Sequence, residues 1–116
     1  MRNVLFICAR NRQRSPTAEQ IFAACPNIEV SSAGLNPDAD VPLTPELLEW
    51  ADLIFVMEQM HRRKLQQKFS PFLHKQSIIC LNIPDNYYFM APELVRILHH
   101  KVSPFLPGPP AEITPA

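Results

Sequence analysis

Val4-Leu5-Phe6-Ile7 is an unbroken apolar run, Cys8-Ala9-Arg10-Asn11-Arg12-Gln13-Arg14-Ser15 follows it, and Pro16-Thr17-Ala18-Glu19-Gln20-Ile21-Phe22-Ala23-Ala24 comes next. The first segment reads as a buried strand and the third as a helix from Pro16 to about Cys25. Ser15 suits the N-cap, where a hydroxyl accepts from a free N–H. Pro16 suits the first helical position, where no N–H is needed. The middle segment is thus a loop from a strand end to a helix start. Unpaired backbone N–H groups and the positive end of the helix dipole converge there, which favours phosphate or another oxyanion.

A cysteine at the head of such a loop feels the same field as the anion would, and the field favours thiolate over thiol. Arg14 can close the ring, because its planar fork meets two phosphoryl oxygens at once. Cys8 is therefore the candidate nucleophile and Arg14 the candidate oxyanion ligand. A cysteine ending a buried strand is more often a small core residue. Arg14 and Ser15 in register tip the reading towards catalysis.

Outward from this stretch, strand and helix alternate. After the first strand, about Asn3 to Cys8, and the helix, Ile28-Glu29-Val30-Ser31-Ser32 reads as a second strand, ended by Ala33-Gly34. Residues 35–43 have loop composition. Thr44-Pro45-Glu46 starts a short helix with Thr44 as N-cap. Leu53-Ile54-Phe55-Val56-Met57 is a continuous apolar run and should be the centre of the sheet. Glu58 to Phe69 reads as a polar helix with Met60, Leu65 and Phe69 inward and His61-Arg62-Arg63-Lys64 as a solvated basic face. Ser77-Ile78-Ile79-Cys80-Leu81 is the fourth strand, and Pro92 to Val102 the last helix. Four such units predict an α/β fold with a four-stranded parallel sheet in the order 2-1-3-4 and helices on both faces. Ligands of such sheets sit at the carboxyl ends of the strands, where Cys8 and Asp85 both lie. Residues 1–102 form the expected domain, and residues 103–116 a proline-rich tail that is extended or disordered.

The chain has 116 residues, 47% of them hydrophobic, and a formal net charge of zero. One globular domain follows, and neutrality argues against nucleic-acid binding. The apolar stretches are strand-sized and the N-terminus lacks a signal-peptide layout, so a cytoplasmic protein with no membrane span is expected. Three widely spaced cysteines give neither a disulfide framework nor a zinc pattern. His61, His74, His99 and His100 share no ligand spacing with Cys8, so all four are expected at the surface or at helix ends, with no metal and no cofactor.

Val4 to Asn11 followed by Arg14-Ser15-Pro16-Thr17-Ala18-Glu19 resembles the Cys-x5-Arg-Ser signature of the low-molecular-weight protein tyrosine phosphatases. The resemblance continues through Ser31-Ser32-Ala33-Gly34, Ala51-Asp52-Leu53-Ile54-Phe55-Val56-Met57 and Asp85-Asn86-Tyr87-Tyr88, and more narrowly points to a short bacterial branch of predicted tyrosine phosphatases. It implies the flavodoxin-like, phosphotyrosine phosphatase I-like fold and hydrolysis of phosphomonoesters, phosphotyrosine on proteins foremost, through a phosphocysteine on Cys8. By resemblance, Asn11 and Ser32 hydrogen-bond each other and hold the N–H groups of Ala9, Arg10, Arg12 and Gln13 towards the anion. Ser15 has a second task, donating to the Cys8 sulfur when it leaves. Asp85 is the candidate general acid, being the acid at the end of the fourth strand. Glu93 is the fallback, and Tyr87 and Tyr88 are candidate pocket walls.

The departures bear on the substrate. Arg10 replaces a customary glycine, Arg12 stands where an apolar wall is common, and Gln13 where many members carry a second cysteine. Asn86 replaces the proline of Asp-Pro-Tyr-Tyr. Residues 33–51 are shorter than usual, which removes the aromatic wall that flanks phosphotyrosine in longer members. Two extra cations suggest a substrate with additional negative charge, or a more electropositive mouth. Phosphotyrosine, phosphoarginine and small phosphoesters all stay open as substrates. So do three rival functions: a non-catalytic phosphate-binding module, a phosphocarrier domain, and an arsenate reductase, which would need relay cysteines beyond Cys25 and Cys80.

Overall fold

The computed structural model describes residues 2–106. Its order is β1 (Arg2–Cys8), α1 (Arg14–Phe22), β2 (Ile28–Gly34), α2 (Pro45–Trp50), β3 (Leu53–Val56), α3 (Gln59–Phe69), β4 (Ser77–Cys80) and α4 (Pro92–Val102), with 3-10 turns at Ser70–Phe72 and Ser103–Phe105. The sheet is parallel throughout, in the order β2-β1-β3-β4.

Because side chains alternate across a strand, the run from Val4 to Cys8 serves two cores. Val4, Phe6 and Cys8 join Phe22, Phe55, Leu94 and Leu98 under α1 and α4. Leu5 and Ile7 join Ile54, Val56, Leu48 and Leu65 under α2 and α3. Phe6 stacks on Phe55 at 5.2 Å and on Phe22 at 5.8 Å between ring centroids. A polar residue on either face of β3, or of β1 beyond Asn3, would meet helix side chains rather than water, which is why Val4–Ile7 and Leu53–Val56 are unbroken apolar runs.

Several boundaries differ from the sequence reading. β2 continues to Gly34, because residues 28–34 pair with the whole of β1. α1 starts at Arg14 and ends at Phe22; Gln13 occupies the N-cap position, and Ser15 lies inside the helix. Thr44 does cap α2, accepting from the Leu47 N–H at 3.3 Å. On α3, Leu65 is buried and Phe69 packs on the second core. Met60, however, points out, and its neighbour His61 is buried in its place. His61 does lie at a helix end, in the first turn of α3, but the expected solvated face over His61-Arg62-Arg63-Lys64 fails at this residue.

The domain also runs past residue 102. Ser103–Phe105 makes a 3-10 turn, Leu106 is buried in the first core, and the Phe105 ring meets Phe55 edge-on at 5.9 Å. The rest of the expected tail lies outside the described residues. Among the described residues no helix is long and apolar enough to cross a membrane.

Candidate active site

The carboxyl ends of β1, β3 and β4 converge on a pocket of about 380 Å³ lined by Cys8, Ala9, Arg10, Arg12, Gln13, Arg14 and Asp85. Its shape is set from behind. The β2–α2 loop donates three backbone N–H groups to the carbonyls of the pocket loop: Leu35 to Cys8 at 3.0 Å, Asn36 to Ala9 at 2.9 Å and Asp40 to Arg10 at 3.1 Å. Carbonyls bonded on that outer side leave the alternate face of their peptides, the N–H face, for the pocket. Gly34 permits the approach. A Cβ there would lie 2.5 Å from the Ala39 Cβ and 2.7 Å from the Ala9 carbonyl oxygen.

Cys8 sits at the floor, 4% exposed. Its Sγ lies 2.9 Å from the Ser15 Oγ and accepts the Asn11 N–H at 3.2 Å. Asn11 holds a left-handed backbone, φ 58°, which asparagine tolerates better than most residues. Its amide nitrogen donates to the Ser15 Oγ at 3.0 Å and to the Ser32 Oγ at 2.9 Å, and Ser32 in turn donates to the Glu19 carboxylate. Ser15 is drawn into this network rather than used as a cap. The Asn11–Ser32 bond implied by the resemblance is present, and Glu19 extends it.

Arg14 is 3% exposed. Its Nη1 donates to the Glu58 carboxylate at 2.5 Å and to the Ile83 carbonyl at 2.7 Å, which uses both N–H bonds of that nitrogen. Nε and Nη2 are left for a ligand, the edge that grips two oxygens at once. Asp85, 59% exposed, holds a carboxylate oxygen 3.7 Å from the Arg14 Nε. The Asp85 loop is pinned on both sides, through Ile83 to Arg14 and through the Met90 N–H, which donates to the Thr17 Oγ1 at 2.9 Å.

Glu58 was not singled out by the sequence, and neither was the imidazole behind it. His61 Nδ1 accepts the Glu58 N–H at 3.2 Å. Burial first, then the nearby Arg14 guanidinium, push its pKa down to about 4. A neutral ring is what that acceptor role needs. The available signal was an acid directly after a central strand with His three residues on, a cap pattern hidden by the basic run that follows.

Other expected residues are placed elsewhere. Neither Tyr87 nor Tyr88 lines the pocket: Tyr87 packs against the first core, and Tyr88 is 76% exposed. Glu93 lies in the first turn of α4 and does not line it either. Arg12 pairs with Asp40 at 3.3 Å. Among the described residues no group of three or more His, Cys, Asp or Glu side chains is placed to hold a metal ion.

No protein-family model matches the chain. A protein-arginine-phosphatase of Bacillus subtilis (strain 168) is 28% identical over 100 residues, covering 63% of this chain and 67% of that protein. Among solved structures, Vibrio vulnificus Wzb in complex with benzylphosphonate superposes with a TM-score of 0.66 at 25% identity, covering 84% of this chain and 89% of that one. The low-molecular-weight protein tyrosine phosphatase of Streptococcus pyogenes gives 0.73 at 16% identity, with 92% and 95% covered, a likeness of fold. The chain is thus similar in sequence to a protein-arginine-phosphatase and in fold to a low-molecular-weight protein tyrosine phosphatase.

Proposed function

We propose that this protein is a cysteine-dependent phosphomonoester hydrolase of the low-molecular-weight type, acting on phosphotyrosine in proteins. The observation that carries the reading is the Cys8 sulfur, bonded by the Asn11 N–H, in a pocket that Arg14 and Asp85 also line. The phosphatase names of its relatives support it. In the first step the Cys8 thiolate attacks phosphorus, the Sγ–P bond forms, the P–O bond to the alcohol breaks, and the Asp85 carboxyl gives its proton to the departing oxygen. In the second, water attacks the phosphocysteine, Asp85 takes a water proton, and phosphate leaves. The Ser15 hydroxyl, 2.9 Å from the sulfur, stabilises the thiolate as it departs. Arg14 and the loop N–H groups meet the equatorial oxygens in both transition states.

Geometry weighs against arsenate reduction. Cys80 is two strands from Cys8, across β3, and packs on the opposite face of the sheet. With strands about 4.8 Å apart, the two Cα atoms are beyond the span of a disulfide. The test is turnover of p-nitrophenyl phosphate by purified protein in EDTA, with Cys8→Ser beside it. Turnover that is lost in Cys8→Ser while phosphate binding survives is the expected result. Wild-type-like activity in Cys8→Ser, or activity that needs added metal, would refute the proposal.

A further inference from the structure

Three arginines line the pocket, and two have carboxylate partners. Arg14 is bonded to Glu58 and Arg12 is paired with Asp40. Arg10 is exposed, and among the described residues its side chain has no hydrogen-bond or ion-pair partner. Its backbone, by contrast, is fixed: the Arg10 carbonyl accepts the Asp40 N–H at 3.1 Å, and the Gly34 slot lies against its carbonyl carbon. An uncompensated cation thus stands on a fixed backbone two residues from Cys8. A pocket of about 380 Å³ holds more than a phosphoryl group, and no aromatic side chain lines it.

We infer that Arg10, with Arg12 beside it, forms a second anion subsite, and that the preferred substrates are phosphomonoesters carrying another carboxylate or phosphate next to the phosphoryl group. The inference rests on the proposed function and narrows its substrate class. Arginine suits the task, since its fork grips a carboxylate or phosphate by two N–H bonds. The uncompensated Arg10 disfavours phosphoarginine, whose guanidinium would bring positive charge to the mouth.

The experiment compares kcat/KM for matched pairs at one ionic strength. One pair is a phosphotyrosine peptide flanked by Glu against the same peptide flanked by Gln. The other is 3-carboxyphenyl phosphate against its carboxamide. The peptide pair reports an anion supplied by a protein, the aryl pair one within a small molecule, and a preference in either supports the subsite. The expected acidic-to-neutral ratio is roughly fivefold for one partly exposed pair. Arg10→Gln brings the ratio close to one, and Arg10→Glu inverts it. Arg63→Gln, which removes one cation from the outer face of α3, leaves the ratio in place. A ratio of one in both wild-type pairs, a ratio untouched by Arg10→Gln, or an equal collapse in Arg63→Gln overturns the subsite. Preference for a phosphoarginine peptide over the acidic phosphotyrosine peptide overturns it too. Absence of turnover on every phosphomonoester would remove the hydrolase itself, and the subsite with it.

Discussion

Acidification should weaken this protein through one imidazole. His61 is 2% exposed and accepts the Glu58 N–H through Nδ1, so the folded state needs the ring unprotonated. Burial and then Arg14 depress its pKa to about 4; Lys64 acts in the same direction, while Glu58 and Asp85 pull the other way. In the unfolded chain the ring titrates near 6.5. The folded pKa is the lower one, so the unfolded state takes the proton first as pH falls. The stability contribution is complete above about 6.5 and is lost progressively down to about 4. At about 1.4 kcal/mol per pH unit the loss sums to about 3 kcal/mol, a large share of the 5–15 kcal/mol typical of a domain. Urea denaturation of the wild type and of His61→Asn at several pH values from 7 to 4 would measure it. Asparagine places an acceptor oxygen near the Nδ1 position but does not titrate. The wild type should lose about 3 kcal/mol more than the variant across that window, and parallel losses would refute the reasoning.

Asp85→Asn should slow aryl phosphates with poor leaving groups by on the order of 10² to 10⁴ and spare those whose leaving group is already a stable anion. Equal losses across a leaving-group series would mean that Asp85 only shapes its loop. Gly34→Ala should cost about 1–3 kcal/mol in thermal or urea denaturation, because its Cβ would meet Ala39 and the Ala9 carbonyl at 2.5 and 2.7 Å. Its phosphate affinity, read by calorimetry, should fall as well, and unchanged affinity would separate the loop's shape from Gly34. Prolonged peroxide should inactivate beyond rescue by dithiothreitol, since Gln13 stands beside Arg14 where a protecting cysteine would be and Cys80 is two strands away on the other face. Full recovery with dithiothreitol would contradict that.

Much of the architecture was legible because β1 from Val4 to Cys8 and the whole of β3 are apolar without a break, the pattern of a sheet covered on both faces. The loop was legible because Cys8, Arg14 and Ser15 are close in sequence and their spacing carries the chemistry. What escaped depended on contacts distant along the chain. Ser15 looked like a cap, yet its hydroxyl is engaged by Cys8 and by Asn11 from inside α1. Helical periodicity placed Met60 inward, but the cap bond to Glu58 turns His61 in. Tyr87 and Tyr88 were expected at a pocket wall only through the resemblance of Asp85-Asn86-Tyr87-Tyr88 to Asp-Pro-Tyr-Tyr. The Met90 turn, φ 62° and tied to Thr17, accompanies a loop path that carries them off the mouth.

The three N–H groups of Leu35, Asn36 and Asp40 give the pocket loop a mould that lies more than twenty residues away in the chain. Residues 8–15 grafted onto another strand-to-helix junction would carry the nucleophile without the mould, and the carbonyls of residues 8–10 would be free to turn towards the anion and repel it. The same dependence gives the native protein a failure mode short of unfolding. Opening of residues 35–43, which leaves the sheet and the first core intact and withdraws only Leu35 and Leu43 from the second, would suffice to erase the anion site. Amide exchange at Leu35, Asn36 and Asp40 would then track anion affinity more closely than it tracks global stability.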